Sequence, residues 1–155
     1  MLQRFFKSLV LVVLSLVVFT AAAFSQQVQV KNSSMNNPYI ADKDYTEKQF
    51  ANFVANLSVA IQAENSGLRK SAIYLAGLYS LNEVVPVLVS QLEKENNSDI
   101  KILIALALYR MEDPIGMEAV DKLYRNESNG RVKRMSKAIV DEFRNKFAHL
   151  EISER

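Results

Sequence analysis

The chain has 155 residues, about one domain, and 49% of them are apolar, enough to build a core. Four glycines and three prolines are too few for a β-rich or collagen-like chain. The absence of cysteine excludes a disulfide framework, a thiolate metal site, a cysteine nucleophile and a lipidated cysteine. The formal charge of +2 includes Arg4 and Lys7, and the remainder balances 17 basic against 17 acidic residues, which gives no footprint for nucleic acid.

Residues 1–25 read as a secretory signal. Arg4 and Lys7 make the positive start, Leu9 to Phe19 the apolar middle, and Ala21, Ala22, Ala23 and Ser25 the small-residue end. Cleavage is expected after Ser25, with Ala23 as the second choice. The competing reading is a retained anchor, because the uncharged run Ser8–Phe24 has 17 residues, the lower limit for crossing about 30 Å of hydrocarbon. The expected location is therefore outside the cytoplasm, in a bacterial periplasm or exterior. Residues 26–44 are rich in Asn, Ser and Gln without helical periodicity and are expected to be a flexible leader.

A folded domain is expected over 45–147. Thr46 and Gln49 form a capping-box pattern, and Phe50, Phe53, Val54, Leu57 and Ile61 make one apolar stripe on a helix over about 46–63. Gly67 is suited to a left-handed cap ending that helix. A helix over about 67–80 follows, with Leu68, Ala72, Leu75, Ala76 and Tyr79 inward. After a turn at Asn82, Pro86 falls in the first turn of the next helix, whose stripe is Val85, Leu88, Val89 and Leu92. The second pair repeats the first at a spacing of 32: Ile100, Leu103, Ile104, Ala107, Leu108 and Met111 inward, Asp113-Pro114 at the turn, then Met117, Val120, Leu123 and Tyr124. Asn129-Gly130 leads into a last helix over about 131–147, with Val132, Met135, Ile139, Val140, Phe143 and Phe147 as its stripe. Residues 148–155, including the single histidine, His149, read as a tail. Helix pairs at a fixed spacing predict an all-α protein, a short α-solenoid.

The turn Met111-Glu112-Asp113-Pro114-Ile115-Gly116-Met117 and the pair Leu68-Arg69 resemble HEAT-like repeats of the short bacterial kind over about 65–147. Gly77 matches the family's helix glycine and Pro86 its second-helix proline, whereas Glu112 stands for the usual turn glycine and Tyr109 for the helix glycine. The period of 32 is shorter than the roughly 40–47 of standard HEAT units. The resemblance implies a right-handed solenoid of about two and a half repeats plus caps, used as a scaffold for protein contacts. It also implies that the recurrent basic residues Arg69, Lys101 and Lys133 form a ladder with acidic turn residues, Asp113 foremost and Asn82 as a weaker counterpart. One subgroup of such repeats attaches bilin pigments to cysteines of partner proteins, a role that export argues against.

Catalytic material is sparse. No Ser/His/Asp or Cys/His set can be assembled, and the pairs Glu93/Glu95, Glu112/Asp113 and Asp141/Glu142 sit at helix ends or expected outer faces. There is no zinc spacing, EF-hand loop or phosphate loop, so neither enzyme activity nor a cofactor is expected. The four N-x-S matches, at Asn32, Asn56, Asn96 and Asn126, matter only in a eukaryotic host. Two surfaces are candidates. The second helices of each pair offer Ser90, Gln91, Lys94, Glu118, Asp121, Lys122 and Arg125, a mixed-charge wall suited to a polar segment of another protein. The span Lys122–Lys146 carries eight basic and three acidic residues, and Arg131, Lys133, Arg134 and Lys137 within it form a basic patch for an anionic membrane surface or acidic partner. The expected function is an exported, non-catalytic protein-binding module, with a peripheral membrane binder as the alternative. The short core also favours self-association.

Overall fold

The computed structural model describes residues 46–153, and these are all-helical as expected. The six helices are α1 (Glu47–Ile61), α2 (Ser66–Leu78), α3 (Val85–Lys94), α4 (Ser98–Met111), α5 (Pro114–Asn126) and α6 (Gly130–Ser153), with a 3₁₀ turn at Asn82–Val84. The expected signal segment and leader lie outside the described residues, as does the side chain of His149. The backbone of α6 stays helical through Ser153, past the end that its apolar stripe predicts.

The helices form two layers. In one, α2 packs on α4 and α4 on α6; in the other, α1 packs on α3 and α3 on α5. Equivalent side chains recur at the 32-residue spacing through the space between the layers. Ala76, Leu108 and Val140 make one buried column, Ala72, Ile104 and Ser136 a second, and Leu88 and Val120 a third. The odd member, Ser136, satisfies its hydroxyl within its own helix by donating to the Val132 carbonyl at 2.9 Å.

Helix starts obey the same period. Asn65, Asn97 and Asn129 lie 32 apart, and each side-chain oxygen accepts a backbone N–H of the following first turn, from Leu68, Ile100 and Val132 respectively. At α1 the capping box forms as its sequence predicts, Thr46 Oγ1 accepting from Gln49 N and Gln49 Oε1 accepting from Thr46 N. Asp113 caps α5 by accepting from Gly116 N at 2.9 Å, with Pro114 at the first helical position. Pro86 lies in the first turn of α3.

Helix ends depart from expectation. Gly67 caps nothing: α1 ends at Ile61, and Gly67 lies inside the first turn of α2 without a positive φ. Among the described residues, the left-handed ones are Ser80 (φ 49°) and Glu112 (φ 53°), again 32 apart, at the turns closing α2 and α4. Both turns thus hold a left-handed backbone in a non-glycine residue, which adopts it at a cost.

Gly77 has a packing reason. A Cβ there would stand 3.0 Å from both Cα and Cβ of Ala107, so α2 and α4 meet backbone to backbone. Leu68 is 51% exposed because no helix of its layer precedes α2 among the described residues, whereas Ile100 and Val132, covered by α2 and α4, are fully buried. Met135 and Phe147, expected inward, are 39% and 36% exposed. Phe147 lies near the end of the α6 stripe, its ring 4.5 Å from that of Phe143, and Met135 follows the solvent side of its helix.

The far side of α6 is polar. Lys137 and Asp141 take the slots held by Ile73 and Gly77 on α2 and by Ala105 and Tyr109 on α4, and pair with each other at 2.5 Å. Asp141 holds the Lys137 ammonium above its ordinary pKa. Apolar side chains at those slots would leave the last helix with a bare flank.

Candidate functional site

Two of the three recurrent basic residues, Arg69 and Lys101, find acidic partners, though different ones from those expected, and the third, Lys133, makes no ion pair among the described residues. Arg69 donates from Nε to Glu95 Oε2 at 3.0 Å, and Lys101 donates from Nζ to Glu127 Oε2 at 2.6 Å. Each pair spans 26 residues, and the two glutamates are again 32 apart. Asp113 is occupied as a helix cap, and Asn82 opens the 3₁₀ turn.

Each glutamate follows the last turn of its helix and folds back on the loop that starts the next. Glu95 Oε1 accepts the N–H groups of Asn96 and Asn97 at 3.1 and 2.9 Å, while Gln91 donates to Oε2. Arg69 also donates to the Ala63 and Glu64 carbonyls beyond α1, tying three helices together. Burial pushes the Glu95 carboxyl up, but the Asn97 N–H, the Gln91 amide and the Arg69 guanidinium outweigh it and hold its pKa below the ordinary 4.5. Glu127 is likewise held below 4.5, first by the Lys101 ammonium and then by the Asn129 N–H.

Beside the second clamp, a cleft of about 390 Å³ opens between α3 and α5. Its apolar lining is Leu92 from α3 with Ala119 and Leu123 from α5. Glu93 and Lys122 stand on opposite sides and pair at 3.1 Å, both well exposed, while Lys101 and Glu127 close one end. An exposed pair of this kind is worth about 0–1 kcal/mol, so an incoming charged group can replace either partner cheaply. The Lys101–Glu127 pair is largely buried and stays as a fixed wall.

The structure divides the side chains offered as a mixed-charge wall. Lys122 faces the cleft. Asp121 turns to α6, accepting from Arg125 at 2.7 Å and from Arg144 at 3.0 Å, so it fastens two helices. Lys94 and Glu118 are exposed and line no part of the cleft. Glu93, Lys101 and Glu127 belong to the site without having been singled out for it. The signal for the last two was in the repeat, since Glu95 and Glu127 are equivalent residues that each follow a basic residue by 26 positions.

Half of the basic patch is neutralised, and so is its neighbour Lys146. Arg131 pairs with Asp99 at 2.6 Å, Lys137 with Asp141, and Lys146 with Glu112, which holds that ammonium above its ordinary pKa. Lys133 and Arg134 make no ion pair among the described residues. Among those residues, too, no group of three His, Asp or Glu side chains could hold a metal ion, and no helix is long and apolar enough to cross a membrane. Comparison with protein-family models, with curated proteins and with solved structures found no match.

Proposed function

We propose that this protein is an exported, non-catalytic scaffold, a short right-handed α-solenoid of HEAT-like repeats that holds a segment of another protein against its α1/α3/α5 layer. The observation that carries the reading is the cleft between α3 and α5, with an apolar floor and a replaceable ion pair across it. The recurrence of caps, clamps and buried columns every 32 residues supports the solenoid assignment. The positive start, apolar middle and small-residue end of residues 1–25 support export.

The cleft suits a segment with one apolar side chain of Leu or Met size, seated over Leu92 and Leu123, and a charged neighbour that takes over Glu93 or Lys122. Such an anchor contributes about 1.5–3 kcal/mol on burial, so the affinity is that of a transient adaptor. A photo-crosslinking residue introduced at Ala119 tests the reading in the native host. It should trap one protein through one peptide, and Lys122→Glu should abolish the trapping. Undiminished trapping in that variant, or equal trapping from Asn145 on α6, would refute the assignment.

A further inference from the structure

The two layers differ in charge far more than the whole chain suggests. Up to Phe147, helices α2, α4 and α6 carry ten basic and three acidic residues, while the rest of 46–147 carries four basic and ten acidic. Some of that excess is spent inside the fold. Arg69 and Lys101 turn to the clamps, and Arg144 and Lys146 reach residues of the other layer or its turn. Four cations of the α2/α4/α6 layer remain without an ion pair among the described residues: Lys70, Arg110, Lys133 and Arg134.

The solvent side of this same layer carries a row of apolar side chains. Tyr74 and Leu106 are equivalent residues one repeat apart, 55% and 38% exposed. Leu103 and Met135 are likewise one repeat apart, the first half-buried and the second 39% exposed. Because α2, α4 and α6 pack side by side in register, these four form a stripe across three helices. A shallow groove of about 480 Å³ runs between Tyr74 and Leu103, with Lys70 on its rim. Arg110 lies one turn beyond Leu106, and Arg134 occupies on α6 the slot that Lys70 occupies on α2.

An apolar stripe of Tyr, Leu and Met flanked by unpaired Lys and Arg has the chemistry of a surface that lies on anionic phospholipid. The apolar tips enter the headgroup region, and the cations meet phosphates. A second copy of this face is a poor occupant, because both surfaces are positive. We propose that the α2/α4/α6 face docks on an anionic lipid bilayer, leaving the opposite layer and its cleft turned away from the membrane. This differs from a basic C-terminal helix acting alone, since most cations of that helix are already paired.

Co-sedimentation of the protein, as purified from its host, with lipid vesicles tests the proposal at low ionic strength. Equimolar phosphatidylglycerol and phosphatidylcholine vesicles should bind it more strongly than phosphatidylcholine alone, and salt should reduce the difference. Lys70→Ala should weaken the phosphatidylglycerol-dependent part about fivefold, and the combined Lys70→Glu, Arg110→Glu and Arg134→Glu variant should lose it. Lys48→Glu on α1 should retain it. The chain has no tryptophan, so Tyr74→Trp supplies a single reporter whose emission should shift to the blue on the anionic vesicles. All these positions are exposed, and circular dichroism confirms that each variant folds. Equal binding to the two vesicle types, binding that survives the triple reversal, or unchanged emission from the Tyr74→Trp variant would overturn the proposal. Competition by polyglutamate as effective as that by the vesicles would instead assign the face to acidic proteins.

Discussion

Arg69 and Glu95 meet across 26 residues of chain, Nε to Oε2 at 3.0 Å, and the side-chain oxygens of Glu95 also close the loop before α4. One carboxylate thereby fixes the end of α3, the start of α4 and, through Arg69, the end of α1. Lys101 and Glu127 repeat the arrangement one unit later. Removing either acid leaves a mostly buried cation and loop amides without their acceptor. Glu95→Ala should therefore cost about 3 kcal/mol, and Glu127→Ala about 2 kcal/mol because Lys101 is a simpler donor than Arg69. Chemical denaturation of the variants measures both, and Asp113→Ala, which removes only a cap, should cost about 1 kcal/mol.

The clamps also set the acid response. Glu95 and Glu127 titrate below 4.5 in the folded protein and near it when unfolded. Their stabilisation is complete above the unfolded value and is lost as pH falls below 4.5 through the folded values. The melting temperature should fall steeply on acidification in that window. A Glu95→Gln, Glu127→Gln double variant should start lower and show a shallower slope there. Equal slopes in the two proteins would remove the clamps as the cause.

Gly77 and Ala107 predict an unusual sign. Alanine in a helix normally gains about 0.5–1 kcal/mol over glycine. Here the new methyl would stand 3.0 Å from the Ala107 backbone, which cannot turn aside. Forcing α2 from α4 costs about 1–3 kcal/mol, so Gly77→Ala should destabilise the protein, as a thermal melt can show.

Ser80 and Glu112 predict the reverse. Both hold a left-handed backbone that glycine adopts freely. Ser80→Gly should stabilise by about 0.5–1 kcal/mol. Ser80→Gly gives up a long hydrogen bond, 3.4 Å from its hydroxyl to the Arg110 carbonyl, whereas Glu112→Gly gives up the ion pair with Lys146 and should gain less. A rise in melting temperature for both, larger for Ser80→Gly, is the expected result.

Much of this architecture was legible in the chain because its determinants are local and repeated. The Thr46 and Asp113 caps, Pro86 and Pro114 in first turns, and apolar stripes at helical spacing act within a few residues, and their positions match the helices found. The acidic half of the ladder was not legible in the same way. Asp113 was the obvious acid beside a turn, but its carboxylate is consumed locally by Gly116 N, leaving Glu95 and Glu127 to meet the cations. Gly67 misled for a related reason: Asn65 caps α2 two residues earlier, so the helix has begun before the glycine is reached. The charge difference between the layers was hidden by the near-neutral total, because it appears only once alternate helices are assigned to opposite sides.

The polar flank of α6 bears on how this protein can change length. With Lys137 and Asp141 where Ile73 and Gly77 stand on α2, nothing can be stacked beyond the last helix without burying two charges. Growth is easy only from within. A cassette running from one capping asparagine to the residue before the next, 97–128, carries its own cap, left-handed turn and clamp glutamate, and presents the same interface at both ends. Duplicating it in frame would lengthen both layers by one unit and leave the terminal seal in place. Gene duplication or deliberate engineering could therefore extend the surfaces in 32-residue steps without redesigning an end.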